Sequence, residues 1–199
     1  MTSIERERLT ARRRPRARRV GLAMIAAGLL LILVWGSSYL LAGARQRQDE
    51  AAWRRLVALG SGAAGGGLAR PVEGLAFRVT VPRVGYDAVV REGVGLDVLA
   101  IGPGHYPGSA WPGQPGVVGV AAHNVFWIRF DELRPGDELL LETRYGVFRY
   151  RVTGTRIVRP DDRSVLRPGP DRQLTLTTCW PLWAGELATR RLAILARAA

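Results

Sequence analysis

The chain of 199 residues has one cysteine, two histidines and, among its 29 basic residues, no lysine. Each scarcity excludes something. A lone thiol, Cys179, forms no internal disulfide, so no disulfide framework holds this fold. Without lysine there is no Schiff-base or lysine-nucleophile chemistry. Imidazole chemistry falls to His105 or His123 alone. No internal repeat is present. The acids Glu92, Asp97, Asp131 and Glu132 do not form the D-x-D-x-D-G spacing of a calcium loop. No metal site and no cofactor is expected.

One long uncharged run stands out instead. Val20 to Ala44 is 25 residues without a charge, and a helix needs about 20 to cross a bilayer core. Eight arginines precede it, at positions 6, 8, 12, 13, 14, 16, 18 and 19. The positive-inside bias predicts a cytoplasmic N-terminus (1–19), a single membrane-spanning anchor (20–44) and everything later outside the cell membrane. The small-x-small segment Ala42-Gly43-Ala44 gives a rival reading as a signal-peptide cleavage site. The apolar run is longer than a typical signal core, which favours an uncleaved anchor.

The formal net charge of +12 invites a nucleic-acid reading. Its distribution opposes it. Residues 1–71 carry 13 arginines and four acids, while residues 72–199 carry 16 arginines and 13 acids. Most of the basicity is thus a topology signal, and no nucleic-acid partner is expected.

After the run, Arg45 to Leu59 reads as a helical stalk with Trp53, Leu56 and Val57 at helical spacing. Gly60 to Gly67 reads as a flexible linker. Stalk and linker together span 45–70, and one domain of modest size remains, 71–199. Its pattern is mainly β. Leu75, Phe77, Val79 and Val81 alternate with polar residues; strands are also predicted at 86–91, 117–122, 138–143, 147–158, 174–179 and 192–196, with a hairpin turn at Tyr145-Gly146. Residues 95–101 read as a short helical turn, and 102–116 as an irregular Pro/Gly-rich loop. Seven or eight short strands with little helix predict a closed β-barrel of about eight strands.

Cys179 ends the segment Thr175-Leu-Thr-Thr-Cys179. An idle exposed thiol is out of place in an oxidising compartment, so Cys179 is a candidate nucleophile. It needs a base or a lowered pKa to act near neutral pH. His123 directly follows the strand 117–122 and is the candidate base, whereas His105 reads as a loop or rim histidine. Strand parity puts Leu174 and Leu176 on the core side and Cys179 on the other. Likewise Leu192, Ile194 and Ala196 share a face with Arg190, and Arg191 points away from it. Cys179 and Arg191 are therefore expected to line one groove outside the barrel, with Arg191 as the cation for an oxyanion.

These residues resemble the sortases, membrane-anchored cysteine transpeptidases. Thr175 to Cys179 fits their TLxTC signature, Ala121-Ala-His123-Asn matches their AGH segment in part, and Arg191-Leu-Ala-Ile-Leu matches their final strand. The loop Gly102-Pro-Gly-His-Tyr-Pro-Gly108 and the Cys179-Trp180-Pro181 run are most similar to classes D and E. Ala122 stands where a Gly is usual, and Asn124 where an Arg is common. The linker has no acidic-aromatic lid of the kind pilus-building sortases carry.

The resemblance implies a catalytic set of Cys179, His123 and Arg191, with Thr178, Trp180 and Arg190 as substrate-binding residues. It implies proteins with an LPxTG-like sorting signal as substrates and an amine of the cell wall or of a protein as acceptor. It also implies a slow enzyme with a bell-shaped pH profile. Two other classes compete. An L,D-transpeptidase would carry a Ser-His-Gly-Cys cluster, whereas Thr177 and Thr178 precede Cys179 here. A non-catalytic anchored β-barrel would bury Cys179 as packing and use Trp180 and Trp183 as core or interface.

Overall fold

The computed structural model describes residues 3–60 and 69–199. Two compact units are present, 1–41 and 42–199. The first lies in a single helix, α1 (Ser3–Gly60), which also contributes its C-terminal part to the second. α1 is long and apolar enough to cross a membrane by length and composition. The Gly-rich linker falls almost entirely outside the described residues.

The second unit is a closed barrel of eight strands: β1 (Leu75–Val81), β2 (Tyr86–Glu92), β3 (Gly104–His105), β4 (Gly116–Ala121), β5 (Glu138–Thr143), β6 (Gly146–Val158), β7 (Arg172–Trp180) and β8 (Arg190–Ala198). Their order around the barrel is β1-β2-β3-β4-β7-β8-β6-β5. Period-2 alternation builds it. Phe77, Val79, Val81, Leu139, Leu141, Tyr150, Val152, Leu174, Leu176 and Ile194 turn inward and are almost wholly buried. α2 (Leu96–Leu99) is the expected helical turn. Two strand pairs are parallel, β2 with β3 and β4 with β7.

The stretch 102–116 is not wholly irregular. Its two-residue β3 pairs with β2 on one side and β4 on the other, and so closes the barrel. Gly104 is suited to this spot because a Cβ there would run into the Gly93 carbonyl.

Two features give the barrel an outer layer. Residues 42–60 of α1 lie on it: Trp53 is buried and donates from Nε1 to Glu142 (3.2 Å), Asp49 takes both Nε and Nη2 of Arg91 (2.7 and 2.6 Å), and Gln46 donates to the Val89 carbonyl (3.2 Å). Leu56 and Val57 pack against the same core. The helical face Trp53-Leu56-Val57 is therefore a packing surface, flanked by the Asp49–Arg91 ion pair. On the other side, the connection between β6 and β7 covers the outer face of β7 and β8. Val158, Val165 and Ala193 form a small second core there, and Thr175 Oγ1 donates to the Val165 carbonyl (2.8 Å).

Candidate active site

β7 and β8 run antiparallel with Cys179 directly opposite Arg191 and Trp180 opposite Arg190. Directly opposed residues share a face of the sheet. Cys179 and Arg191 thus project to one side, and Trp180 and Arg190 to the other. On the far edge of β7, parallel β4 pairs Ala121 with Thr177, and the Ala122 N–H donates to the Thr177 carbonyl (3.1 Å). Two residues further along each chain come His123 and Cys179. The three side chains stand in one row across three neighbouring segments.

That row opens into a groove of about 340 Å³. Cys179, His123, Arg191 and Thr178 all line it, and Trp180 and Arg190 do not. Val94, Leu96 and Leu99 form one wall; Arg159, Asp162, Arg163 and Leu166 from the β6–β7 connection form another. Tyr106 also lines the groove, with its phenol 3.0 Å from Thr177 Oγ1. The thiol of Cys179 is free and partly exposed. Arg191 donates from Nη1 only to its neighbour's carbonyl, Arg190 O (3.2 Å). Arg159, by contrast, is held by Asp161 through two 3.0 Å bonds. Hydrogen bonds from Ser164 hold the Asp162 carboxyl below the usual range, so it stays anionic in the groove wall.

Thr178 has the parity of Leu176 and Trp180. It is 2% exposed, and its hydroxyl has no hydrogen-bond partner. Thr175 and Thr177 do face away from the barrel core, yet both are buried, because the β6–β7 connection and Tyr106 cover them. Trp180 is half-buried against the main core, and Trp183 is exposed.

Asn124 holds the segment after β4 in place. Its Nδ2 donates to the Leu182 carbonyl, just past Cys179, and its Oδ1 accepts from the Val125 N–H (3.1 Å). The Phe126 N–H closes a turn onto the His123 carbonyl (3.0 Å). The loops carrying the imidazole and following the thiol are thereby tied together. An arginine at position 124 would have to make this link differently.

His105 corrects the sequence reading. It is fully buried, not a rim histidine. Tyr106 is a groove residue that the sequence does not signal, because it follows a two-residue strand inside a Pro/Gly-rich run with no periodicity.

The family model for the Sortase domain matches residues 79–199, and the chain belongs to the sortase family. Sortase D of Bacillus subtilis is 35% identical over 103 residues, covering 51% of this chain and 52% of that protein. Sortase SrtE1 of Streptomyces coelicolor is 29% identical over 209 residues, covering 87% of this chain and 58% of that protein. The chain thus spans little more than half the length of these curated relatives. A Clostridium perfringens Sortase D5 transpeptidase matches in structure with a TM-score of 0.57 at 26% identity, over 62% of this chain and 78% of that one. The SrtA sortase from Actinomyces oris matches with a TM-score of 0.58 at 29% identity, over 65% and 82%. The resemblance to classes D and E agrees with the names of both curated relatives.

Proposed function

We propose that this chain is a membrane-anchored cysteine transpeptidase that cuts an LPxTG-like sorting signal and joins the acyl fragment to an amine. The observation that carries the reading is the opposition of Cys179 and Arg191 in the β7–β8 register, at a groove that His123 also lines.

In this mechanism the Cys179 thiolate attacks the carbonyl carbon of the signal's Thr. Arg191, whose guanidinium has no acidic partner in the row, donates to the oxyanion that develops. The C–N bond breaks, the leaving amine takes a proton from the His123 imidazolium, and a thioester to Cys179 remains. The acceptor amine then gives its proton to His123 and attacks the thioester, releasing the thiolate. Because the first step needs thiolate and imidazolium together, the rate against pH is bell-shaped. Thr178, a residue of the groove lining, is assigned to substrate binding.

The topology follows the sequence reading: a cytoplasmic tail (1–19), an anchor (20–44), a connecting segment (45–70) and a catalytic domain outside the membrane (71–199). The acceptor is an amine of the cell wall or of a protein.

The test is intact-mass analysis of the full chain in detergent with LPxTG, LPxTA and LAxTG peptides, with and without an amine. The expected result is a mass gain equal to the acyl fragment, absent in Cys179→Ala and cleared by the amine. A folded protein whose Cys179 alkylates but gains no acyl mass from any of these peptides counts against the proposal.

A further inference from the structure

His105 is the one buried imidazole among the described residues, and the transpeptidase mechanism makes no use of it. The residue is fully buried. It packs edge-on to Phe77, with ring centroids 5.5 Å apart, and lies 5.1 Å from Trp111. A polar ring sunk among aromatics is costly unless its nitrogens are satisfied, and both are. Nδ1 lies 2.7 Å from a carboxylate oxygen of Glu92. Nε2 lies 2.9 Å from Ser109 Oγ and 3.1 Å from the Ala110 carbonyl. Ser109 Oγ in turn accepts the Gly119 N–H (3.1 Å).

The placement of these partners gives the network a purpose. Glu92 ends β2, His105 is in β3, and Gly119 is in β4. β3 has only two residues, so the backbone ladder between β2 and β4 is at its shortest here. The imidazole and the Ser109 hydroxyl bridge that seam from one side to the other. Directly beyond the seam stand two parts of the groove. Tyr106, the next residue, is fixed by its N–H to the Gly119 carbonyl (3.0 Å) and by its phenol to Thr177. The chain runs on from Gly119 through the end of β4 at Ala121 to His123.

We propose that His105 is a positioning residue: its imidazole clamps β2 to β4 across β3 and so sets the groove wall at Tyr106 and the strand that delivers His123. The clamp's effect on turnover rests on the transpeptidase reading above; the clamp itself does not.

The test uses the full chain in detergent. His105→Phe keeps the packing against Phe77 and Trp111 and removes both polar links. Peptide turnover is measured per active site, counted by Cys179 alkylation. The expected result is a fall in kcat/KM of about 10- to 100-fold, more in KM than in kcat, as befits a misplaced groove with its reacting groups retained. Glu92→Gln keeps an acceptor for Nδ1–H and is expected to lose less than Glu92→Ala. Unchanged kcat/KM per titrated site, with only a lower melting temperature, would make His105 a core residue and overturn the proposal.

Amide exchange gives an answer that does not depend on turnover. The Tyr106 and Gly119 amides are expected to exchange faster in His105→Phe than in the parent. If they are unchanged, the clamp is refuted. If they are faster while the parent forms no acyl adduct, the clamp stands and the transpeptidase reading is the part that fails.

Discussion

Arg190 and Arg191 are neighbours in sequence, and strand alternation gives them different company. Only Arg191 faces the thiol across the ladder. Arg191→Gln is expected to lower kcat/KM by about 10²- to 10³-fold, as loss of an oxyanion donor does, while Arg190→Gln stays near the parent. Steady-state peptide kinetics on the two variants checks this; equal losses would show that parity is not the deciding factor. Thr178 offers a cleaner separation of folding from binding. Its buried hydroxyl satisfies nothing in the free protein, so Thr178→Val removes a desolvated polar group. Stability is expected to rise by about 1 kcal/mol in denaturant titrations, with kcat/KM falling in the same protein. A loss of stability would mean that the hydroxyl has a partner after all.

At the level of elements, legibility followed periodicity. β1, β6 and β7 alternate, and β5 and β8 are short apolar runs, so their positions could be read directly from the sequence. β3 could not: two residues carry no period, and their surroundings are Gly and Pro. The burial of His105 was hidden for a related reason. Its partners Glu92 and Ser109 lie on separate elements, and only the closed barrel brings them together. The parity of Cys179 and Arg191 was legible, whereas the burial of Thr175 and Thr177 was not, because it depends on a second cluster around Val165. The helical spacing of Trp53, Leu56 and Val57 was plain as well, but spacing does not say what covers a face. Trp53→Ala is expected to destabilise the barrel by about 3–5 kcal/mol. A chain beginning at Ala42 is likewise expected to melt above one beginning at Pro71, which lacks Trp53 and the Asp49 partner of Arg91. Thermal melts of the two would settle whether this helix belongs to the fold.

At the scale of the whole molecule, burial protects several of the barrel's phenols. Burial pushes the Tyr145 phenol up to about 12 and raises that of Tyr150. Both groups therefore hold their proton more tightly folded than unfolded. The stability this confers is fully present below the ordinary phenol value of about 10 and is lost as pH climbs from there through about 12. An alkaline titration should show part of the phenolate absorbance lagging behind the free-tyrosine curve, then rising together with unfolding. Replacing Tyr145 with Phe should remove part of that lag and leave the protein less sensitive to base.

The pairing of Cys179 with Arg191 is made by the ladder between β7 and β8, and the segment 181–189 that joins these strands takes no part in that ladder. The register and the connection are thereby separable. A lineage can lengthen, shorten or exchange those nine residues while Cys179 and Arg191 stay in register. The bond from Asn124 Nδ2 to the Leu182 carbonyl is a contact that any such exchange must rebuild.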